Sequence, residues 1–239
     1  MGSVITATVF DIDNTLWNYY KMKKECVDAG LDKMIERGLP VTKEEGKRIV
    51  EDVFINHTWE DQRLFWHVAE HAGITNKITI ERFAQLGKTA YRLHQREFLK
   101  PYDGVKAMLT AYKEYNVPTA ILSDAPRLKV FDRLCDLGLE PYFEDRAVGA
   151  EKYEERKPEK IAFKRVLAVL GRKSPEGVLM VGDHPNRDIM GAKKYGFMTA
   201  WAKYGYIPKP GEDVNTMKVR ADYVLEKPMD LIDIVKETR

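Results

Sequence analysis

The sequence predicts an α/β fold in which a parallel sheet carries helices on both faces and is interrupted by a helical insertion. The apolar, β-branched run at residues 4–10 is typical of a strand buried on both faces. Helical spacing alone then occupies about eighty residues. From Pro101 onward, strand and helix patterns alternate, which favours parallel strands joined by crossover helices.

The individual elements follow from local signals in chain order. The insertion holds four helical segments separated by glycine and proline breaks, and Thr42 and Glu45 have the spacing of a capping box. The predicted helices cover residues 19–37, 42–55, 59–72, 80–98, 103–115, 127–137 and 159–170, with two more starting near Asp188 and Met229. The predicted strands cover residues 4–10, 117–122, 147–149, 178–181, 199–202 and 223–225.

The composition limits the classes of partner and the compartment. The 39 basic and 37 acidic residues leave a net charge of +2 without a long block of one sign, so no nucleic-acid or membrane partner is predicted. No apolar run has the length of a membrane span or the flanks of a signal peptide, and Cys26 and Cys135 lack a nearby partner. We therefore expect a cytoplasmic protein with reduced cysteines. Nothing near His67 and His71 in the sequence completes a zinc ligand set.

Polar side chains follow three of the predicted strands. Asp11 and Asp13 come directly after the first strand, Ser123 after the second, and Asp183 after the strand at residues 178–181. In open α/β sheets, ligands bind in the crevice outside the carboxyl ends of the strands. Two acids two residues apart need a cation or a shared proton in such a place, so the sequence indicates a metal site.

Two further residues complete an ordered set. Lys157 lies between the second and third of these strands, before a proline suited to the first turn of the next helix, and Asp188 follows Asp183. The set of D-x-D-x-T at residues 11–15, then Ser123, Lys157 and a G-D motif with a later Asp resembles the haloacid dehalogenase superfamily. The resemblance covers nearly the whole chain. It implies a doubly wound, Rossmann-like core of residues 1–16 and 98–239, with a small helical cap of residues 17–97 inserted after the first motif.

The chemistry of phosphoryl transfer suits the two acids of the first motif. Asp11 is the candidate nucleophile, because a carboxylate at a strand end can attack phosphorus and form an aspartyl-phosphate. Asp13 is placed to protonate the departing alkoxide and then to deprotonate the attacking water. Superfamily members that cleave carbon–halogen bonds typically lack an acid at this position, since a halide leaves without a proton. Asp13 therefore favours phosphate chemistry.

The remaining motif residues are candidates for binding metal and phosphate. Magnesium suits an all-oxygen site, and the resemblance implies the Asp11 carboxylate, the Asp13 carbonyl and the Asp183 carboxylate as its ligands. Asp188 is either a further metal residue or a cap of the helix predicted to start there. Ser123 and Lys157 would hold the phosphate. Thr15 is expected to support the loop, Asn14 fits a tight turn, and the role of Asp124 stays open.

The resulting hypothesis is a magnesium-dependent phosphatase that hydrolyses a small phosphate monoester through an aspartyl-phosphate. A phosphomutase of the same superfamily shares every core residue and stays open. Phosphonate cleavage would need a Schiff-base lysine that the sequence does not single out. A receiver-type signalling domain is disfavoured by the insertion and by the spacing of Asp11 and Asp13. The expected partner is a small phosphorylated metabolite, and a homodimer is one open option for the oligomeric state.

The insertion offers aromatic and basic residues near the first motif. It is expected to close over the site and to select the leaving group, because it follows the catalytic loop directly. Residues 17–21 are evenly balanced between packing and contact with the leaving group. Trp59 and Trp66, seven residues apart on one helical face, are expected to pack in the core of the insertion.

Overall fold

The structure is a computed structural model that describes residues 4–57, 61–208, 213–214 and 217–238. The chain forms two compact units. One unit takes in the chain up to Tyr19 and from Lys100 onward, and the other comprises Tyr20–Leu99. The limits of this second unit lie close to those of the predicted insertion at residues 17–97.

The first unit is built on a parallel sheet. Its strands are β1 Ala7–Phe10, β2 Thr119–Leu122, β3 Ala147–Val148, β4 Val178–Gly182, β5 Met198–Ala202 and β6 Tyr223–Leu225. Within the described residues their order is β3-β2-β1-β4-β5-β6, with every pairing parallel. After β3 the chain returns to the other side of β1, so the order of the strands reverses between β1 and β4. This confirms the predicted doubly wound sheet and puts its topological switch point between β1 and β4.

Helices flank the sheet and fill the second unit. They are α1 Tyr19–Glu36, α2 Lys43–His57, α3 Leu64–His71, α4 Lys77–Gln95, α5 Val105–Glu114, α6 Arg127–Leu137, α7 Glu140–Phe143, α8 Lys160–Val169, α9 Gly191–Lys194 and α10 Asp230–Glu237. Short 3-10 turns occupy Arg96–Phe98, Tyr153–Glu155 and Lys203–Gly205, and a π-helical turn occupies Pro185–Met190. None of the helices in the described part of the chain is long and apolar enough to cross a membrane.

Three details of the helix prediction are wrong. The helix predicted to begin near Asp188 begins at Pro185, because the His184 ring accepts hydrogen bonds from the first backbone N–H groups. Pro158 lies ahead of α8, which starts at Lys160, and is not in its first turn. The predicted helix at residues 59–72 begins at Leu64 within the described residues, and Trp59 lies outside them.

The helical unit has its own apolar core. Phe65 on α3 packs between two glycines of neighbouring helices, since a Cβ atom at Gly30 of α1 would collide with its ring and one at Gly87 of α4 would lie 2.6 Å from its Cγ. Without side chains at these positions, the three helices approach one another closely around the ring. Trp66 packs against this core, in agreement with its predicted role.

The central strands of the sheet are buried along their whole length. Every residue of β1, β2 and β4 is inaccessible or nearly so. Helices cover both faces of a doubly wound sheet, so its strands carry apolar residues continuously and not in alternation. The ends of these strands are therefore the points where polar side chains can reach a ligand.

Candidate active site

The register of the sheet brings motif residues from three strands to one edge. Phe10 of β1 pairs with Ile121 of β2 and with Val181 of β4. Asp11, Ser123 and Asp183 each follow one of these strands within a residue or two, and all three are buried. The Ser123 N–H donates to Val148 O at 2.9 Å, so the backbone at this position is still part of the sheet.

Lys157 joins this edge through its side chain. Its Nζ lies 2.5 Å from Asp11 Oδ1 and 2.7 Å from Asp188 Oδ1. The Lys157 side chain is 2% exposed, so the ammonium group is held between two carboxylates away from bulk water. The sequence indicated Lys157 only by its position in the order of the motifs. Its burial and its two carboxylate contacts now support it as a candidate site residue.

Asp124 fastens the loop that carries Lys157. Its Oδ1 accepts the Lys157 backbone N–H at 2.7 Å, and its Oδ2 accepts from Arg187 Nη1 at 3.2 Å. Asp124 is adjacent to Ser123 in sequence, so one residue ties together the segments that follow β2, precede α8 and follow β4. These contacts agree with the loop-orienting alternative for Asp124, whose role the sequence left open.

Three carboxylates cluster at this edge of the sheet, and Lys157 contacts two of them. Asp11, Asp183 and Asp188 each offer an oxygen atom, and these atoms lie within 4.8 Å of one another. Burial raises the pKa of Asp11 to about 7, against the opposing effect of Lys157 and with further increases from Asp188 and Asp13. Burial, Asp188 and Asp11 also raise the pKa of Asp183 well above its ordinary value. The site therefore carries more negative charge than Lys157 compensates.

The pKa of Asp188 is shifted in the opposite direction from the pKa values of Asp11 and Asp183. Burial acts to raise its pKa, but Lys157 and Arg187 outweigh this effect and the pKa lies below its ordinary value. Its Oδ2 also accepts the His184 N–H at 2.9 Å. A Cβ atom at Gly182 would collide with the Asp188 side chain, so the glycine of the G-D motif makes room for this carboxylate. Asp188 both receives a backbone N–H at the start of a helical turn and faces the carboxylate cluster.

The loop of residues 11–15 is held by contacts from two directions. Asn14 has a left-handed φ of 60°, as a tight turn requires, and the Thr15 hydroxyl donates to Asp11 Oδ2 at 3.4 Å. From outside the loop, the Tyr204 hydroxyl donates to Thr15 O at 2.8 Å. A Cβ atom at Gly205 would collide with the Asn14 carbonyl oxygen. Sequence reasoning did not find this second support.

Asp13 faces a different set of partners. Trp17 Nε1 donates to Asp13 Oδ1 at 2.9 Å, and the Arg133 guanidinium pairs with Asp13 Oδ2. Sequence reasoning did not find Arg133, which is 120 residues from Asp13 and carries no motif of its own. The role of the Asp13 carbonyl as a metal ligand stays a prediction.

A second cluster of metal-ligating residue types lies in the helical unit. His57, Asp61 and His67 bring their side-chain ligand atoms within 4.8 Å of one another, a proximity that the sequence did not indicate. The two imidazole rings are stacked, with centroids 4.0 Å apart and planes inclined by 7°. Each ring nitrogen binds a metal in its own ring plane, and two nearly parallel planes do not meet at one ion. We therefore do not assign a metal site here.

Comparison with known proteins agrees with the geometry at the sheet edge. Residues 5–196 match the family of haloacid dehalogenase-like hydrolases. The glyceraldehyde 3-phosphate phosphatase of Methanopyrus kandleri is 26% identical over 240 residues, which cover 98% of each chain. The phosphoglycolate phosphatase of Aquifex aeolicus is 29% identical over 167 residues, covering 68% of this chain and 73% of that protein.

A solved structure shares the fold at low sequence identity. A Bacillus subtilis protein assigned as a HAD hydrolase and bound to magnesium has a TM-score of 0.68 and 20% identity, covering 98% of this chain and 99% of its own. The chain described here belongs to the haloacid dehalogenase-like hydrolases. Within that family it is a phosphatase, an enzyme that hydrolyses phosphoric monoesters.

Proposed function

We propose that the protein is a magnesium-dependent phosphatase that hydrolyses a small phosphorylated metabolite through a phosphorylated Asp11. The observation that carries this proposal is the contact of Lys157 Nζ with Asp11 Oδ1 at a buried strand end, beside two further carboxylates. A carboxylate held there can attack phosphorus while the ammonium group neutralises phosphate oxygens.

The reaction proceeds in two steps. An Asp11 oxygen attacks the phosphorus in line with the ester oxygen, the bond between phosphorus and ester oxygen breaks, and Asp13 gives its proton to the departing alkoxide. Asp13, now ionised, then takes a proton from a water molecule as that water attacks the phosphorus. The bond between Asp11 and phosphorus breaks and inorganic phosphate leaves. Both carboxyl groups return to their starting states.

Ser123 and Lys157 bind the phosphate in this proposal. The Ser123 hydroxyl lies at the end of β2 and supplies a neutral donor, while Lys157 supplies positive charge. Both side chains are buried, so their interactions with developing charge are screened little by water.

The donor set fits a magnesium ion. Asp11, Asp183 and the Asp13 carbonyl offer oxygen atoms, the ligand type that magnesium prefers. Burial, and after it the neighbouring carboxylates, raise the pKa of Asp11 and of Asp183, and a bound cation would favour the ionised form of both groups. Asp188 would contact the ion or orient the carboxylates beside it. When bound, the ion neutralises charge on the transferring phosphoryl group and orients that group for in-line attack.

The proposed substrate class follows from the relatives. Their names refer to glyceraldehyde 3-phosphate and phosphoglycolate, which are phosphate esters of short-chain metabolites. A small phosphorylated metabolite is therefore the class to test first. Larger sugar phosphates and nucleoside monophosphates belong in the same panel, because the fold alone does not determine the leaving group.

The test measures inorganic phosphate released from p-nitrophenyl phosphate and from this panel, with and without magnesium. The Asp11→Asn variant is expected to fold and to lose turnover by several orders of magnitude, because covalent catalysis has no substitute route in the site. Asp233→Asn is the matched control, since it makes the same change at an exposed position of α10. If the Asp11 variant keeps more than about a tenth of wild-type activity, the mechanism is wrong. An isomeric phosphate formed without inorganic phosphate would indicate a phosphomutase.

A further inference from the structure

The Asp13 side chain takes part in a closed series of contacts among four residues: Asp13, Trp17, Tyr19 and Arg133. Trp17 donates to one Asp13 oxygen and Arg133 pairs with the other. The Arg133 guanidinium also lies 5.0 Å from the centre of the Tyr19 ring. The Tyr19 and Trp17 rings meet edge to face, with centroids 5.7 Å apart. The contacts thus return to the residue from which they start.

The Arg133 contact differs from an ordinary surface ion pair. The Arg133 and Asp13 side chains are 19% and 23% exposed. Lys129 and Asp132, on the same helix α6, form a pair whose side chains are 68% and 60% exposed. Arg133 therefore turns toward the end of the sheet, while Lys129 and Asp132 turn toward solvent.

Donors on both oxygens restrict the direction of the Asp13 carboxylate. Trp17 is itself 1% exposed, and its backbone forms bridges with Asp13 and Pro101, so the indole donor is fixed in place. Arg133 holds the second oxygen, and the Tyr19 ring holds the guanidinium group. Rotation of the carboxylate would break at least one of these contacts.

We propose that Arg133 is a positioning residue for Asp13 in the proton-transfer steps of the reaction. It holds the carboxyl group in the direction from which that group reaches the ester oxygen and, later, the attacking water. This inference rests on the proposed function, because it requires Asp13 to be the acid and base. Proton transfer needs the donor within hydrogen-bond reach of its target, so a carboxyl group that turns freely is a poorer acid.

Leaving groups differ in their need for a proton, and this difference distinguishes a positioning role of Arg133 from general support of the fold. The p-nitrophenolate group leaves without a proton, whereas an alkoxide such as that of glycerol needs one. The value of kcat/KM covers all events up to departure of the leaving group. Loss of Arg133 should therefore lower kcat/KM for an alkyl phosphate much more than for p-nitrophenyl phosphate.

The experiment compares these two esters with Arg133→Met, Arg133→Lys and the matched control Lys129→Met, which removes one positive charge from the same helix. For glycerol phosphate we expect Arg133→Met to lower kcat/KM about 10- to 100-fold, a part of the rate gain that a positioned acid supplies. For p-nitrophenyl phosphate we expect a change below about 3-fold. Arg133→Lys should recover part of the loss, and Lys129→Met should match the wild-type protein on both esters.

Rapid mixing supplies a second readout. Asp13 is also the base of the second step, so Arg133→Met should accumulate phosphorylated Asp11 and release a burst of p-nitrophenol before steady state. A structural defect would lower all rates together without creating a burst. If Arg133→Met does not fold by circular dichroism, Arg133→Gln takes its place with the same expectation.

Equal losses of kcat/KM on the two esters, or an Arg133→Lys variant as impaired as Arg133→Met, would overturn the inference. Neither result would touch the proposed function, which fails only if the wild-type protein releases no phosphate or if Asp11→Asn stays active. The two proposals are thus tested by different measurements on the same set of proteins.

Discussion

Replacement of Asp11 by Asn is expected to stabilise the metal-free protein, by an amount that grows with pH. Burial raises the pKa of Asp11 from 3.8 to about 7, so the folded chain protonates this carboxylate more readily than the unfolded chain does. A group with a raised pKa contributes stability that is fully present below its unfolded pKa and is lost as the pH rises through its folded pKa. Asparagine resembles the protonated acid in shape and carries no charge, so the variant lacks this loss.

The size of the effect follows from the two pKa values. The rise from 3.8 to about 7 corresponds to on the order of 4 kcal/mol, at about 1.4 kcal/mol for each unit. The Asp11 side chain is 11% exposed, so screening by solvent reduces this figure little. Relative to the wild-type protein, the free energy of unfolding of the variant should therefore rise by about 4 kcal/mol between about pH 4 and about pH 8.

Urea unfolding followed by circular dichroism, at several pH values and without divalent metal, measures this difference directly. Asp233→Asn is again the control, because it makes the same change at an exposed position of α10. Saturating magnesium should reverse the order of stability, since the proposed metal site needs the Asp11 carboxylate of the folded wild-type protein. A difference between Asp11→Asn and wild type that stays constant within about 1 kcal/mol across the pH range would refute the electrostatic reasoning.

Four further substitutions test the carboxylate cluster. Gly182→Ala should push the Asp188 side chain out of place and lower activity about 10- to 100-fold, as measured by steady-state kinetics; wild-type activity would contradict the steric argument. Lys157→Met should destabilise the metal-free protein by about 3–5 kcal/mol in urea unfolding, because it leaves Asp11 and Asp188 without their common cation. Asp183→Asn should weaken magnesium binding in calorimetric titration more than Asp188→Asn does, since Lys157 already compensates Asp188, and the opposite ranking would show that Asp188 is the stronger ligand.

The sequence predicted the parts of the site that local pattern and chain order determine. Buried parallel strands have a characteristic composition, and their carboxyl ends share one edge of the sheet, so the proximity of Asp11, Ser123 and Asp183 follows from the strands alone. The contact of Lys157 with Asp11 required more, because the lysine comes from a loop before α8 whose direction no pattern specifies. The sequence indicated Lys157 only through its position in the order of the motifs.

The contacts that the sequence did not predict are long-range and carry no periodicity. Arg133 sits on an ordinary amphipathic helix, and only the packing of α6 brings it to Asp13. Gly205 supports Asn14 through the absence of a side chain, which a single sequence does not distinguish from a flexible loop. The part that the helical insertion plays in selecting the leaving group stays a prediction from its place in the chain.

The rigidity of the sheet explains why crowded negative charge is useful in this site. The ladder between β1 and β4 continues through the Asp11 N–H, which donates to Val181 O at 2.9 Å, so the backbones that carry Asp11 and Asp183 are locked side by side. The two carboxylates cannot separate by a shift of the backbone, and burial keeps water from screening their repulsion. The repulsion is instead relieved when positive charge is added or a proton is taken up. A looser loop would relax its repulsion by moving, and a cation would then gain less on binding. In the rigid site, the free energy that the metal-free protein loses through this repulsion returns as affinity for a divalent cation.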